Sequence, residues 1–496
     1  PMGLIDKIIE FVSPTTALRR EQVRYALGQV RGYDAGSRGK RAKGWTTTGG
    51  SADREIIGAG ETIRARARDM VRNNPYANKS ATVTRTGVVG PGVKISIRSK
   101  RATDNKKANA LWKAWAETTA CDFMGRKNFY VIQRLVINAI YVDGEVFIRQ
   151  RRDASRAVPL QLQVLEADYL DTGKSHAQMS DGGRIDAGIE TDRDGRVVAY
   201  WLWNQHPNDN THWRSLTSDR VPADQILHIY TEDRPGQLRG VSKMASMLFA
   251  LRDFSEYEDA QLIRQKIAAC FSIFVTGEGE VRPGDPEFDG LPMERVEPGM
   301  IEYLAPGKGI QYGTPPTVEN YDEYSRAILR GAAAGAGLTY EAFTGDLSNV
   351  NFSSGRMGWI EQSRSIKELQ EDVIILQLCA PVWDWFVKAA TVAGQLRVGA
   401  EIETSWTAPR REMIDPVKET KALNDLIRAG LTSWQDVVRE MGGDPEILRA
   451  EIVADMALFD SIGAKPTIDP RYDPKRNDTT GAPTKAPPAN KVNDGG

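Results

Sequence analysis

Apolar residues recur at helical spacing at Ile63, Ala67, Met70 and Val71, which predicts a helix over 61–73 that Asn73-Asn74-Pro75 stops. Beyond it the pattern shortens to period two. Segments 83–98, 145–150, 160–165, 196–203 and 225–230 are rich in β-branched and aromatic residues and read as strands. Asp192-Arg193-Asp194-Gly195 supplies the turn chemistry of a hairpin. Helical inserts over 105–117 and 129–142 make this first region an α+β domain.

From Gly240 the period is helical again. Ser242 as N-cap, followed by Met244, Leu248, Leu251, Ile263 and Ile267 on one face, predicts a helix of about 28 residues, roughly 42 Å long. A Gly/Pro-rich excursion follows, with short strands at 272–276 and 300–304, and then a second helix over 321–336. A polar loop over 337–354 leads to a long helical pattern over 355–390, in which Pro381 has no N–H to give and predicts a kink or break. Residues 397–408 read as a strand returning to the first domain. Three shorter helices come next: 416–429 ended by Gly430, one opened by a Thr432-x-x-Gln435 capping box, and one opened by Asp444-Pro445-Glu446. The two ends differ from the middle. Residues 4–12 carry a short helical pattern, 31–60 are rich in Gly, Ser, Thr and basic residues, and 464–496 hold six prolines and almost no apolar periodicity, as a disordered tail does.

With 41% apolar and 26% charged residues over 496 positions, the chain has the composition of a multidomain globular protein. Its 65 Lys and Arg nearly cancel 66 Asp and Glu, for a net charge of -1, so no global pull toward phosphate exists and DNA would be handled loosely or locally. Cys121, Cys270 and Cys379 lie far apart in apolar or helical surroundings and read as reduced, buried thiols. The N-terminal residues show no secretion signal. The most apolar stretch, 373–387, holds Gln377, Pro381 and Asp384 and is shorter than the ~20 residues of a membrane span, so it reads as a buried or subunit-facing helix, with no membrane partner.

No Gly-rich loop ends in Gly-Lys-Ser/Thr to wrap a nucleotide's phosphates, and the glycines of Gly87-Val-Val-Gly90-Pro-Gly92 are in the wrong order for a dinucleotide fingerprint. Of the four histidines, His206 and His212 are the near pair, without a cysteine neighbour, and no metal or cofactor is expected. Asp346, with Asn349 and Asn351 close by, lacks a second acid before the next helix and reads as turn chemistry. The run Gly331-Ala-Ala-Ala-Gly335 reads equally as a close helix–helix approach or as a tightly packed or frayed helix end.

Three blocks, in order, carry a resemblance. Arg66-Ala-Arg-Asp-Met-Val-Arg-Asn-Asn-Pro-Tyr-Ala77 comes first, then Gly236-Gln-Leu-Arg-Gly-Val-Ser242 before the first long helix. Tyr340-Glu-Ala-Phe-Thr-Gly-Asp-Leu-Ser-Asn-Val-Asn-Phe-Ser-Ser-Gly-Arg356 precedes the kinked one. The chain resembles the lambda-type portal family of tailed bacteriophages over roughly residues 60–462. The resemblance implies a dodecameric ring at one capsid vertex, in the virion and assembled in the host cytoplasm, with double-stranded DNA in its channel. Terminase, a head-tail adaptor, and major capsid and scaffold proteins are the implied partners. It implies no enzyme activity.

The multidomain α+β portal fold then divides as an arm (1–60), wing (61–240), first stem helix (241–270), clip (271–320), second stem helix (321–338), tunnel loop (339–354), kinked helix (355–392), wing return strand (393–415), crown (416–463) and tail (464–496). The loop's Asp346, Ser348, Asn349, Asn351, Ser353 and Ser354, with no Lys or Arg among them, are the expected DNA-facing residues, and Gly335, Gly337, Gly345 and Pro381 the expected hinges. A minor capsid or adaptor protein without a channel, or a DNA-processing enzyme, are the competing readings.

Overall fold

The computed structural model describes residues 49–180, 182–209, 215–270, 274–277, 308–311, 321–409, 413 and 415–463. The helical pattern at 4–12, the basic arm around Arg38 to Lys43, the strand at 300–304, His212 and the tail from 464 lie outside them. Contacts divide the chain into residues 1–54 and 55–496, and the described part of the first is the opening of helix α1.

α1 (Ala52–Asn73) starts nine residues before the sequence expectation, inside the stretch read as arm. Asn74 ends it and at once begins α2 (Pro75–Val88): its backbone is extended and its side-chain Oδ1 accepts the N–H groups of Tyr76 and Ala77, with proline at the first helical position. The expected strand over 83–98 is therefore half helix. Thr84 and Thr86 return their hydroxyls to the carbonyls of Ser80 and Thr82, and the face Ala77, Ser80, Ala81, Thr84 and Val88 is buried, so packing overrides β-branched composition. Gly90 and Gly92, both at positive φ, turn the chain into β1 (Lys94–Ser99).

α3 (Ala102–Ala116) and α4 (Phe129–Asp143) follow as expected, α4 capped by Asn128 and ended by Gly144 at φ 94. The strands come next: β2 (Glu145–Arg151), β3 (Gln161–Glu166), β4 (Arg184–Asp186), β5 (Ile189–Thr191), β6 (Val197–Trp203), β7 (Ser218–Pro222) and β8 (Ile226–Tyr230). They form two antiparallel sheets, β3-β2-β8 and β4-β5-β6-β7, the second turning from β5 to β6 at the Asp192–Gly195 hairpin.

α5 (Leu248–Cys270) begins six residues after Ser242, whose hydroxyl accepts the Met244 N–H and caps only a short turn before it. β9 (Phe274–Gly277) and β10 (Lys308–Gln311) pair antiparallel. α6 (Tyr321–Gly335) packs on α5, and α7 (Tyr340–Thr344) interrupts the polar loop.

α8 (Phe352–Glu368), a π-helical stretch Leu369–Cys379 and α9 (Ala380–Val392) make one unbroken helix. Pro381 does not break it: the Ala380 N–H reaches back five residues to Ile375, and the proline falls just after this wider turn. By length and composition the helix from Ser353 to Val392 is apolar enough to cross a membrane, but half of its most apolar window is buried inside the protein, as in a core helix. β11 (Ile402–Thr407) returns to pair antiparallel with β1, as the sequence predicts.

α10 (Pro416–Arg428), α11 (Trp434–Glu440) and α12 (Pro445–Ser461) complete the described chain. The cap of α11 is Ser433, accepting from Asp436, in place of the expected Thr432 and Gln435.

The main core stacks aromatic rings from α3, α4 and α9: Trp112 lies 5.0 to 5.5 Å from Trp115, Phe129, Trp383 and Phe386. A second core joins α1, α2, α5, α6 and α7 through Ala67, Ala81, Leu251, Phe254, Leu329 and Phe343. Cys121 and Cys379 are free and buried, and burial pushes the Cys121 thiol up to about 12. Both are inert thiols at neutral pH.

Candidate functional site

Between Thr339 and Ser354 the chain is more ordered than a polar loop. Thr339 accepts the Ala342 N–H at 3.2 Å and caps α7, which Gly345 ends at φ 81. Asp346 then builds a turn, its Oδ1 accepting the Ser348 N–H at 3.0 Å and hydroxyl at 2.6 Å and its Oδ2 the Tyr340 hydroxyl at 3.3 Å. The bonds from Ser348 hold its carboxyl below the usual range. Asn351 caps α8 in a reciprocal box with Ser354, accepting its N–H at 2.8 Å. Besides the N-cap Thr339, only 345–351 is left outside helix, and Ser353 and Ser354 belong to the first turn of α8.

Asp346 with Ser348, and Asn351 with Ser354, are brought together as two separate turns. Asn349 and Ser353 are exposed and their side chains make neither set of bonds, and Leu347 is 68% exposed at the tip. Arg356 is exposed in α8, with no ion pair among the described residues.

The loop's base is anchored from two sides. Phe343 is fully buried and stacks on Tyr76 of α2 at 6.0 Å, and the Arg330 guanidinium lies 5.6 Å from the Tyr340 ring. A Cβ at Gly345 would collide with the Lys79 ammonium, so folding sets a lysine against a loop that has none of its own. No local sequence signal announces that neighbour, which lies 266 positions earlier.

The expected hinges take three forms. Gly337, at φ 69, ends α6 with the Leu338 N–H on the Ala333 carbonyl, and Gly345 ends α7. Gly335 is a close-approach position, its carbonyl accepting the Ser246 hydroxyl at 2.9 Å, which favours the packing reading of the Gly331–Gly335 run. Pro381 sits behind the π stretch.

Beneath this lies a buried ionic joint that the sequence did not single out. Glu145, fully buried at the start of β2, accepts from Arg239 Nε, from the Gly240 N–H at 2.9 Å and from His228 Nε2 at 3.0 Å. Burial by itself raises a carboxyl; here the Arg239 charge and the bonds from His228 and Arg239 outweigh it and hold Glu145 well below the usual range. His228, equally buried, is pushed down by desolvation despite Glu145 and is neutral at neutral pH.

Two positions earlier, Asp143 accepts from Arg68 at 2.7 and 2.9 Å, and Arg68 also reaches Asp168 at 2.7 Å. A side chain at Gly240 would strike the Gly144 carbonyl. The blocks that carry the resemblance therefore meet: Arg68 and Arg239 on consecutive acids of one joint, Tyr76 and Phe343 on one stack.

Glu166, Asp168 and His206 also converge, with ligand-type atoms within 4.8 Å. Arg68 pairs with both acids, and His206 Nδ1 accepts the Asn208 N–H, which leaves its proton on Nε2 facing Glu166 at 3.4 Å. This is an ion-pair cluster with no free imidazole lone pair for a metal.

The described residues form a mixed helix-and-sheet body with a buried ionic joint and a hydrogen-bonded polar loop. The chain belongs to the lambda family of phage portal proteins, whose family model, "Phage portal protein, lambda family", matches residues 38–370. It is 28% identical over 443 residues to the "Probable portal protein" of Halomonas phage phiHAP-1, covering 84% of this chain and 85% of that one. It is 20% identical over 498 residues to "Portal protein B" of Escherichia phage lambda, covering 89% and 92%. Among solved structures it is similar to a chain in "Neck of native GTA particle computed with C12 symmetry", with a TM-score of 0.45 and 18% identity, covering 79% and 94%.

Proposed function

We propose that copies of this chain close into a ring of about a dozen at the capsid vertex, around a channel through which double-stranded DNA is packaged and ejected. Assembly takes place in the host cytoplasm with scaffold and major capsid protein. α5 and α6 form the stem, the insertion closed by β9 and β10 forms the clip that docks terminase and later the head-tail adaptor, and the loop 339–354 faces the DNA. The observation that carries this reading is membership of the portal family, matched over residues 38–370.

A channel must pass DNA without gripping it. Every fixed lumenal cation is repeated in each subunit and adds phosphate contacts, so a loop that offers exchangeable hydrogen bonds suits the task. Asn349 is the residue to test, because Asn351 caps α8 and replacing it would cost about 0.5–2 kcal/mol by itself. Asn349→Lys should leave assembly intact, slow packaging, and steepen the salt dependence of DNA retention. Normal rings with an unchanged packaging rate and salt response would remove the loop from the channel wall.

A further inference from the structure

Two arginines share one face of the sheet β3-β2-β8 with no acid to pair with. Arg149 and Arg151 are two residues apart on β2, which puts them on the same side of the strand with backbones about 7 Å apart. Both are half-buried. Among the described residues Arg149 has no hydrogen bond or ion pair. Burial, and after it the Arg151 charge, push it below the ordinary arginine value against the longer-range pull of Asp219, an exposed residue of β7. Arg151 donates Nε to Gln163 Oε1 of β3 at 2.7 Å, and its guanidinium lies 5.4 Å from the centre of the Phe123 ring. Its two terminal nitrogens have no partner among the described residues. The acids near in sequence are taken: Asp122 accepts the N–H groups of Arg126 and Lys127, and Asp153 pairs with Arg156 at 2.8 Å.

Two guanidinium groups drawn half out of water side by side lose hydration and repel each other, and an anion placed between them offsets both effects. Arg151 is already set for one. Gln163 and Phe123 fix the plane of its fork, which leaves a pair of N–H donors free for a bidentate oxyanion. The Phe123 turn is itself pinned, its N–H on the Leu162 carbonyl at 3.0 Å. The rim beside the arginines is apolar, with Phe123 42% and Met124 58% exposed. This combination selects the source of the anion. A DNA duplex carries its phosphates on a stiff cylinder and brings nothing apolar to Phe123 and Met124. A protein segment carries carboxylates on flexible stems that reach half-buried donors, with apolar neighbours for the rim, and arginine, methionine and aromatic rings together mark protein–protein contacts.

We propose that Arg149, Arg151 and Phe123 form a docking site for an acidic, extended segment of another protein, with carboxylates at alternate positions. Such a segment repeats its side chains on one face every two residues, about the spacing of the two arginines on β2. Its carboxylates bridge Arg149 and the Arg151 fork, and an apolar residue beside them covers Phe123 and Met124. The site uses no residue of the loop 339–354 and stands whether or not that loop faces DNA.

The test titrates the full chain into a fluorescent peptide of alternating Glu and Ser, with a Gln-Ser peptide and a short DNA duplex as the other arms. The Glu-Ser peptide should bind, more weakly as salt rises, and the Gln-Ser peptide should not. Arg149→Gln/Arg151→Gln should lower the affinity at least tenfold, with oligomeric mass and melting temperature as in the parent. Arg151→Lys keeps the charge without the fork and should lose several-fold. Arg152→Gln, at the exposed residue just after β2, should change affinity less than twofold. No binding of the Glu-Ser peptide, an unchanged affinity in the double variant, or an equal loss in Arg152→Gln would overturn the proposal. Duplex binding tighter than the peptide's and lost in the double variant would make the patch a nucleic-acid contact instead. An oligomer that forms in the parent but not in the double variant would place the arginines between copies of this chain, and overturn it equally.

Discussion

Glu145 is kept as a carboxylate out of reach of water, which makes its partners the most consequential single residues in the chain. Arg239→Ala would strand that charge, and losing one partner of a buried pair costs about 3–5 kcal/mol. A matching drop in stability by chemical denaturation is expected, with only partial recovery in Arg239→Lys, which lacks the forked donor set. The pH dependence has a definite sign. Glu145 and His228 both bind protons more weakly when folded than when unfolded, so their contribution is complete above the unfolded values and is lost on acidification. Stability should begin to fall as pH drops below about 6.5, through His228, and fall further below about 4.5, through Glu145. His228→Phe should remove the first phase, and a curve flat down to pH 5 in the parent would contradict the assignment. None of this was legible from sequence, because Glu145, His228 and Arg239 are separated by up to 94 positions and only the fold shows that one carboxylate serves both others.

Elements were read well where pattern and packing agreed. α4, β2, β3, β6 and β8 follow their apolar spacing to within a residue at each end, α3 starts three residues earlier than expected, and β11 starts five later but pairs with β1. The errors cluster where the local signal points one way and the neighbourhood another. Val83 to Val89 has strand composition but lies against α4 and the long helix, and Gln370 of the π stretch donates to the Val88 carbonyl at 2.9 Å where α2 ends. The loop residues were legible as turn formers, but not the division of labour among them, since capping by Asn351 and the Asp346 turn depend on backbone geometry.

In the insertion proposed as the clip, Gly277 and Lys308 are register partners, so residues 278–307 can be replaced by a two-residue Asn-Gly turn without opening the ladder. That variant should still form rings and should lose terminase binding at least tenfold in a pull-down or titration. Unchanged affinity in assembled rings would place the docking surface elsewhere.

Taken whole, the chain is a set of long helices and small sheets whose outer apolar positions exceed what one copy covers. Val392 is 87% exposed, Val417 81%, Met357 73% and Leu376 65%. Single exposed hydrophobes are ordinary, but rows of them on three C-terminal helices call for neighbours. Family membership and the near-neutral charge were both visible in the sequence. The uncovered faces were not, because periodicity tells that a helix is apolar on one side and not whether its own chain covers that side. The most direct test of the central claim is the mass of the purified assembly, combined with class averages viewed down its axis. The account predicts a closed ring of about a dozen copies with an open centre wide enough for a DNA duplex. A chain that remains monomeric or dimeric at every salt concentration, or a closed particle with no central opening, would contradict it.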